Sequence, residues 1–243
     1  MPIKNRDYDL TSDLLQQYRD AALQNAQSLL EESALLLEYG HNARAYFLSV
    51  SSIEEAGKAV QAFEGLAKNL KDSAVTQRLK IQFEDHSQKV TSAFSPWLQA
   101  TPNLREEVMN FVNMMVDLKF GREASMYTDI NADREIVTTP QLQVDQKTAA
   151  NCVYVAGTVL SHVRAYAHQK SKTTTRVQDA FFALKPANFK KMTNMGDFWE
   201  YYISRVQQGN TALESVVIEY NQRYISQGKA FKQASNAGSG GDA

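Results

Sequence analysis

With 243 residues, the chain holds one large domain or two small ones, enough to bury a sizeable core. Apolar residues at 43% and charged residues at 22% are ordinary for a soluble globular protein, and few prolines or glycines interrupt the long periodic segments, which favours helices over a sandwich or barrel. The single cysteine, Cys152, excludes an intramolecular disulfide and speaks against a thiolate zinc site; with no apolar run of membrane-span length and no signal-peptide core in MPIKNRDYDLTSD, a soluble cytoplasmic chain with no membrane contact is expected.

The spacing predicts a first helix from Thr11 to Tyr39, with Leu15, Ala22, Ala26, Leu29, Leu30, Leu36 and Leu37 as its apolar positions. Gly40 suits the residue that ends it, and Asn42 suits the cap of a second helix, so the pair forms an antiparallel hairpin. In the second helix Ala43, Phe47, Val50, Ile53, Gly57 and Val60 recur on one face. A third helix carries Val75, Leu79, Phe83, Val90, Phe94 and Trp97 and is expected to end around Pro96 and Pro102. A fourth starts near Asn103 and uses Leu104, Val108, Phe111, Met115 and Leu118. Four consecutive amphipathic helices with short connections read as an all-α, up-down bundle. The polar, β-branched segment 128–141 is a loop or short hairpin, and a fifth helix follows over about 144–169, packing Ala149, Cys152, Val153, Ala156, Leu160 and Val163. These elements give a bundle over 1–172, a basic and aromatic helical extension over 173–233, and a disordered tail over 234–243. Walker, Rossmann and nucleophile-elbow patterns are absent from the sequence.

Three polar residues interrupt the apolar faces. Glu54 falls on the side of Val50 and Gly57, with Lys58 one turn on as an i,i+4 partner. His86 projects into the stripe of Leu79, Phe83, Val90 and Trp97, with Lys89 beside it and Asp85 pointing away. Arg122 extends the stripe of Phe111, Met115 and Leu118 if the fourth helix continues past Gly121. A carboxylate facing a core is costly unless paired, so the three faces are expected to meet around one polar site. That site is either a self-satisfied network that fixes helix register or a reactive one. In the reactive case His86 is the acid/base, and Arg122, Lys58 and Lys89 hold phosphate. Glu54 then orients the imidazole, and Tyr127 donates a hydrogen bond or stacks on a base. A histidine among cations, without the carboxylate–histidine spacing of a metal site, suits RNA cleavage through the 2′-hydroxyl with no metal or cofactor. His41 reads as a turn residue, His162 as projecting away from its stripe, and His168 as ending a helix; none is given a role.

The segment ALLLEYGHNARAYFLSVSSIEEAGKA, with Glu54, Glu55, Gly57 and Lys58, resembles the first hairpin and EE-x-GK motif of AbiV-type abortive-infection proteins. Asp85, His86 and Lys89 resemble the family's DH-x-x-K segment, and Arg122, Tyr127 and Asp129 its R-x-x-x-x-Y-x-D segment. The resemblance covers roughly residues 12 to 170 in order and spacing. It implies a HEPN-like bundle, a homodimer, and a role in antiphage defence, in many relatives as a metal-independent ribonuclease toxin. The ribonuclease motif of such proteins, an Arg followed by four to six residues and a His, is not matched. Arg78 and His86 are separated by seven residues and Arg164 and His168 by three. Convergence of Arg122 and His86 in space is the remaining route to such a site.

The extension offers a different reading. Between Arg164 and Lys191 stand seven basic side chains and one acidic, Asp179, followed by a run rich in aromatics. An inert bundle whose extension binds a phage or host protein through Phe181, Phe182, Phe189, Trp199, Tyr201 and Tyr202 is the alternative. Packing of the same aromatics into a core is the third option.

Overall fold

The computed structural model describes residues 8–101, 104–131, 135–169, 173–210 and 212–231, with 104–108 described by backbone alone. The described chain is helical apart from one two-stranded hairpin, and Pro102, Lys170, Lys172, the tail 234–243 and the side chains of Leu104 and Val108 lie outside what is described. Two compact units are present, one within Met1–Leu70 and Leu79–Lys172, the other within Lys71–Arg78 and Thr173–Ala243.

The first unit is built around its second helix. Helix α1 runs Ser12–Glu38, with the Thr11 hydroxyl accepting from the Leu14 amide at 3.1 Å, and α2 runs Asn42–Gly65. The turn between them is a Schellman motif: Gly40, at φ 75°, donates to Leu37 O at 3.0 Å, and His41 donates to Leu36 O at 2.9 Å. His41, not Asn42, is the N-cap of α2, and its side chain makes no capping bond. Buried residues cover most of α2, because it packs against α1 and against four helices still to come. The Ser52 hydroxyl donates to Ala26 O at 2.7 Å, a polar link between α1 and α2.

The expected third helix is two. Helix α3 spans Ser73–Glu84, and α4 spans His86–Ala100. The break comes at Asp85, which takes an extended conformation (ψ 111°) and accepts from the Gln88 amide at 3.0 Å. An aspartate that caps the following turn competes with helix continuation, and here it wins. Pro96, expected to stop the helix, sits buried inside α4. It withdraws one donor from the ladder, but the packing of Ala93 and Phe94 on the core and the stack of Trp97 on Phe94 carry the helix to Ala100.

Helix α5 spans Leu104–Ala124 and leads into β1 (Asp129–Asn131) and β2 (Ile136–Thr138), an antiparallel hairpin with Ile130 opposite Val137. After the short α6 (Pro140–Gln143), α7 (Gln146–Ala167) is capped by Asp145, which accepts from Thr148 N at 2.7 Å, and buries Ala149, Cys152, Ala156, Val159, Leu160 and Val163. His162 does not point away from the packing; its ring stacks on Trp97 at 5.8 Å. Helices α1, α4, α5 and α7 thus surround α2 around one core.

The second unit holds α8 (Arg176–Ala183), α9 (Pro186–Thr193), α10 (Gly196–Gln207) and α11 (Leu213–Arg223). Met192, Phe198, Tyr201, Val216, Val217 and Tyr220 form its core, with Phe181, Phe189 and Tyr202 packed against them. Four of the aromatics weighed as partner-binding residues are therefore occupied in packing, while Trp199 is exposed and donates its indole N–H to Thr193 O at 2.8 Å. Among the described residues no helix is long and apolar enough to cross a membrane.

Candidate active site

Glu54 sits on the core side of α2, as its position on the wheel requires, and only 8% of its side chain is exposed. Such burial is tolerable because cations from two other helices converge on its carboxylate. Lys89 of α4, itself 6% exposed, places Nζ 3.0 Å from Oε2. Arg122 of α5 places Nε 3.1 Å from Oε1; the alignment falls short of a hydrogen bond, so this contact is a charge pair. His86 places Nδ1 2.7 Å from Oε2.

Two glycines permit this convergence. A Cβ on Gly57 would stand 1.9 Å from the carbonyl oxygen of Lys89, so α2 and the first turn of α4 approach more closely than any other residue allows. A Cβ on Gly121 would stand 2.3 Å from the Tyr46 hydroxyl, which donates to Asp117 O at 3.2 Å. The Gly121 gap seats the α2 ring against α5 one residue before Arg122.

The placement of His86 corrects the sequence reading. As the first residue of α4 and not a mid-helix residue, it leaves the apolar stripe, and its side chain is 58% exposed. The buried member of the pair is Lys89. A carboxylate only accepts, so Nδ1 of His86 is the donor toward Glu54, and Nε2 is the ring nitrogen left to accept when the imidazole is uncharged. Lys89 Nζ lies 3.3 Å from the same Nδ1, but both are donors, and both are directed at the Glu54 carboxylate.

Lys58 does not pair with Glu54. It donates instead to Glu55, its i,i+3 neighbour, because the core-facing Glu54 turns away from the partly buried flank that Lys58 and Glu55 share. Tyr127 is exposed beyond the end of α5.

His86 stands between two clefts. One, of about 480 Å³, is lined by Glu54, His86, Lys119 and Arg122, with an apolar wall of Val112, Val116 and Phe120 from α5. The other, of about 660 Å³, lies on the α1 and α3 side and is lined by Lys58, His86 and Lys89 among others. Tyr127 lines neither. Lys119 escaped the sequence reading because it lies off the apolar stripe; its only signal was a place three residues before Arg122. Among the described residues no group of three or more His, Cys, Asp or Glu side chains is placed to hold a metal ion.

The geometry has a counterpart among known families. The HEPN-type AbiV family model matches residues 14–161, a span that includes Glu54, Lys58, His86, Lys89, Arg122 and Tyr127 and ends before α8. No curated protein and no solved structure gives a match. By a match across more than half its length, the chain belongs to the AbiV family of HEPN-type abortive-infection proteins.

Proposed function

We propose that the protein is an antiphage toxin that cleaves RNA without a metal or cofactor, using His86 as general base. The observation that carries this reading is the Glu54–His86 contact at 2.7 Å, which engages Nδ1 of an imidazole whose side chain is 58% exposed and orients it with Nε2 left to accept a proton. In the proposed step Nε2 takes the proton of a ribose 2′-hydroxyl, and the 2′-oxygen attacks the adjacent phosphorus. The bond from phosphorus to the 5′-oxygen breaks, and that oxygen leaves with a proton from water. The products are a 2′,3′-cyclic phosphate and a 5′-hydroxyl end. Arg122 and Lys119, on the smaller cleft, hold the phosphate and stabilise the charge that develops on it. Lys89 is a positioning residue, because burial directs its ammonium to Glu54 and not to a ligand. Lys58 and Tyr127 reach the substrate only outside the smaller cleft. The experiment is incubation of RNA with the purified protein in EDTA, with product ends identified by mass spectrometry. Cyclic phosphates support the reading; intact RNA, with or without phage-infected extract, contradicts it.

A homodimer belongs to the same proposal. Met109, Val112, Val116 and Phe120 form an exposed apolar stripe at helical spacing along α5, beside the cleft. A second copy covers this stripe and closes the cleft. Val116→Glu is expected to convert a sedimenting dimer into a monomer.

One observation favours the alternative, a binding role for the second unit. Trp199, Ile203 and Val206 are exposed along one face of α10. If a phage or host protein docks there, Ile203→Glu abolishes defence and leaves cleavage of RNA intact.

A further inference from the structure

The larger cleft, which His86 lines and Arg122 does not, is unused by the chemistry above. Its floor is apolar and buried: Leu10, Leu15 and Phe83. Tyr18 adds a second ring, 5.0 Å from that of Phe83 and tilted 57° to it. Cations surround the opening. Lys80, its ammonium 4.3 Å above the Tyr8 ring, and Lys58 are the cleft's cationic lining residues not turned to Glu54, against Glu84 as its one acidic lining residue; Lys89 and His86 line it too, but both are directed at Glu54. Its volume of about 660 Å³ is in the range of small-molecule sites. An aromatic, apolar floor under a cationic rim matches a flat heterocycle joined to an anion, which is the chemistry of a nucleotide.

We infer that this cleft is a base-binding subsite, holding the nucleotide next to the scissile phosphate while His86 sits over the phosphate between the two clefts. This rests on the proposed RNA cleavage at His86. It adds a claim about substrate selection: the strand crosses His86 with its phosphates toward Arg122 and Lys119 on one side, and one base enters between Tyr18 and the Lys80 rim on the other. Stacking on an aromatic ring is tolerant of base identity, whereas a cleft of fixed depth favours bases that fill it, so cleavage sites show a base preference at one position beside the cut.

The test separates this claim from catalysis by reading binding alone. A short 2′-O-methyl ribo-oligonucleotide, which lacks the attacking hydroxyl, carries one 2-aminopurine whose fluorescence falls when it stacks. Wild type is expected to quench it. Leu14→Glu, which adds a carboxylate at a partly exposed position of the rim, is expected to weaken binding about tenfold or more. Tyr18→Leu, checked for folding by circular dichroism, is expected to reduce the quench. Absence of quenching by wild type overturns the subsite whether or not the protein cleaves RNA. Quenching that Leu14→Glu and Tyr18→Leu leave unchanged places the base elsewhere and also overturns it. Equal affinity for 2-aminopurine riboside monophosphate and for the oligonucleotide makes the cleft a free-nucleotide site and overturns its assignment to a strand.

Discussion

Replacing Gly57 by alanine sets two opposing effects against each other. Alanine in a helix interior is favoured over glycine by about 1 kcal/mol, so propensity alone predicts a more stable protein. The added Cβ, however, would stand 1.9 Å from Lys89 O, 2.6 Å from its carbonyl carbon and 3.0 Å from its Cα. These are backbone atoms in the first turn of α4 and cannot rotate aside, so relief requires α2 and α4 to part by about 1 Å in a close-packed core. Overpacking of this kind costs about 1–3 kcal/mol, and contact with backbone belongs at the upper end. The clash wins, with a net loss of about 2 kcal/mol. For an m-value of about 2 kcal/mol/M the urea midpoint falls by about 1 M. Separation of the helices also draws Lys89 and His86 away from Glu54, so any RNA cleavage declines along with stability. An unchanged or higher midpoint in Gly57→Ala would refute the close approach of the two helices.

Other consequences follow from the buried groups. Glu54→Ala leaves Lys89 and Arg122 without their shared counter-charge, and urea unfolding is expected to show a loss of about 3–5 kcal/mol; a loss under about 1 kcal/mol would mean that solvent already screens the cluster. Glu64 of α2 accepts from the Tyr166 hydroxyl at 3.3 Å, yet burial raises its carboxyl pKa, outweighing the lowering by Lys68 and by that hydrogen bond. With the folded pKa above the unfolded one, its contribution is fully present below the unfolded value and lost as pH rises through the folded value. Glu64→Gln is therefore expected to be more stable than wild type at pH 7 and to lose less stability between pH 4 and pH 7; a less stable variant at pH 7 contradicts this. Burial pushes the Cys152 thiol up to about 12, so at pH 8 the native protein should resist a thiol reagent that modifies the urea-unfolded chain at once.

The limits of α1 and the turn at Gly40 were legible because their signals are local: a capping threonine, and a glycine at the one position needing a positive φ. The core-facing side of Glu54 was legible from the wheel, and so was the expectation that its face meets those of His86 and Arg122; which atoms pair was not. A wheel assigns a face, while Lys89 and Arg122 arrive from other helices through tertiary packing. The i,i+4 rule selected Lys58, and that choice failed because residues 54 and 55 point in different directions, leaving Lys58 to Glu55. The break before His86 was masked by an apolar period that continues across it. The available signal was Asp85 three residues before Gln88, a cap written inside an apparently unbroken stripe. That one misreading put His86 on the core side and gave Lys89 to a phosphate, whereas the imidazole is the exposed group and the lysine is the buried counter-charge. The second unit's aromatics illustrate the same limit, since periodicity alone does not separate rings that pack from rings that wait for a partner.

The central claim is that Glu54 holds His86 as the reactive base of an RNA-cleaving site. Its most direct measurement is the cleavage rate of wild type, His86→Ala and Arg122→Ala on the same RNA in EDTA, with folding of each checked by circular dichroism. His86 is exposed and Arg122 only partly buried, so both variants are expected to remain folded. Both should lose cleavage by at least about a hundredfold, the usual contribution of a general acid or base. Undiminished cleavage by a folded His86→Ala protein would contradict the claim.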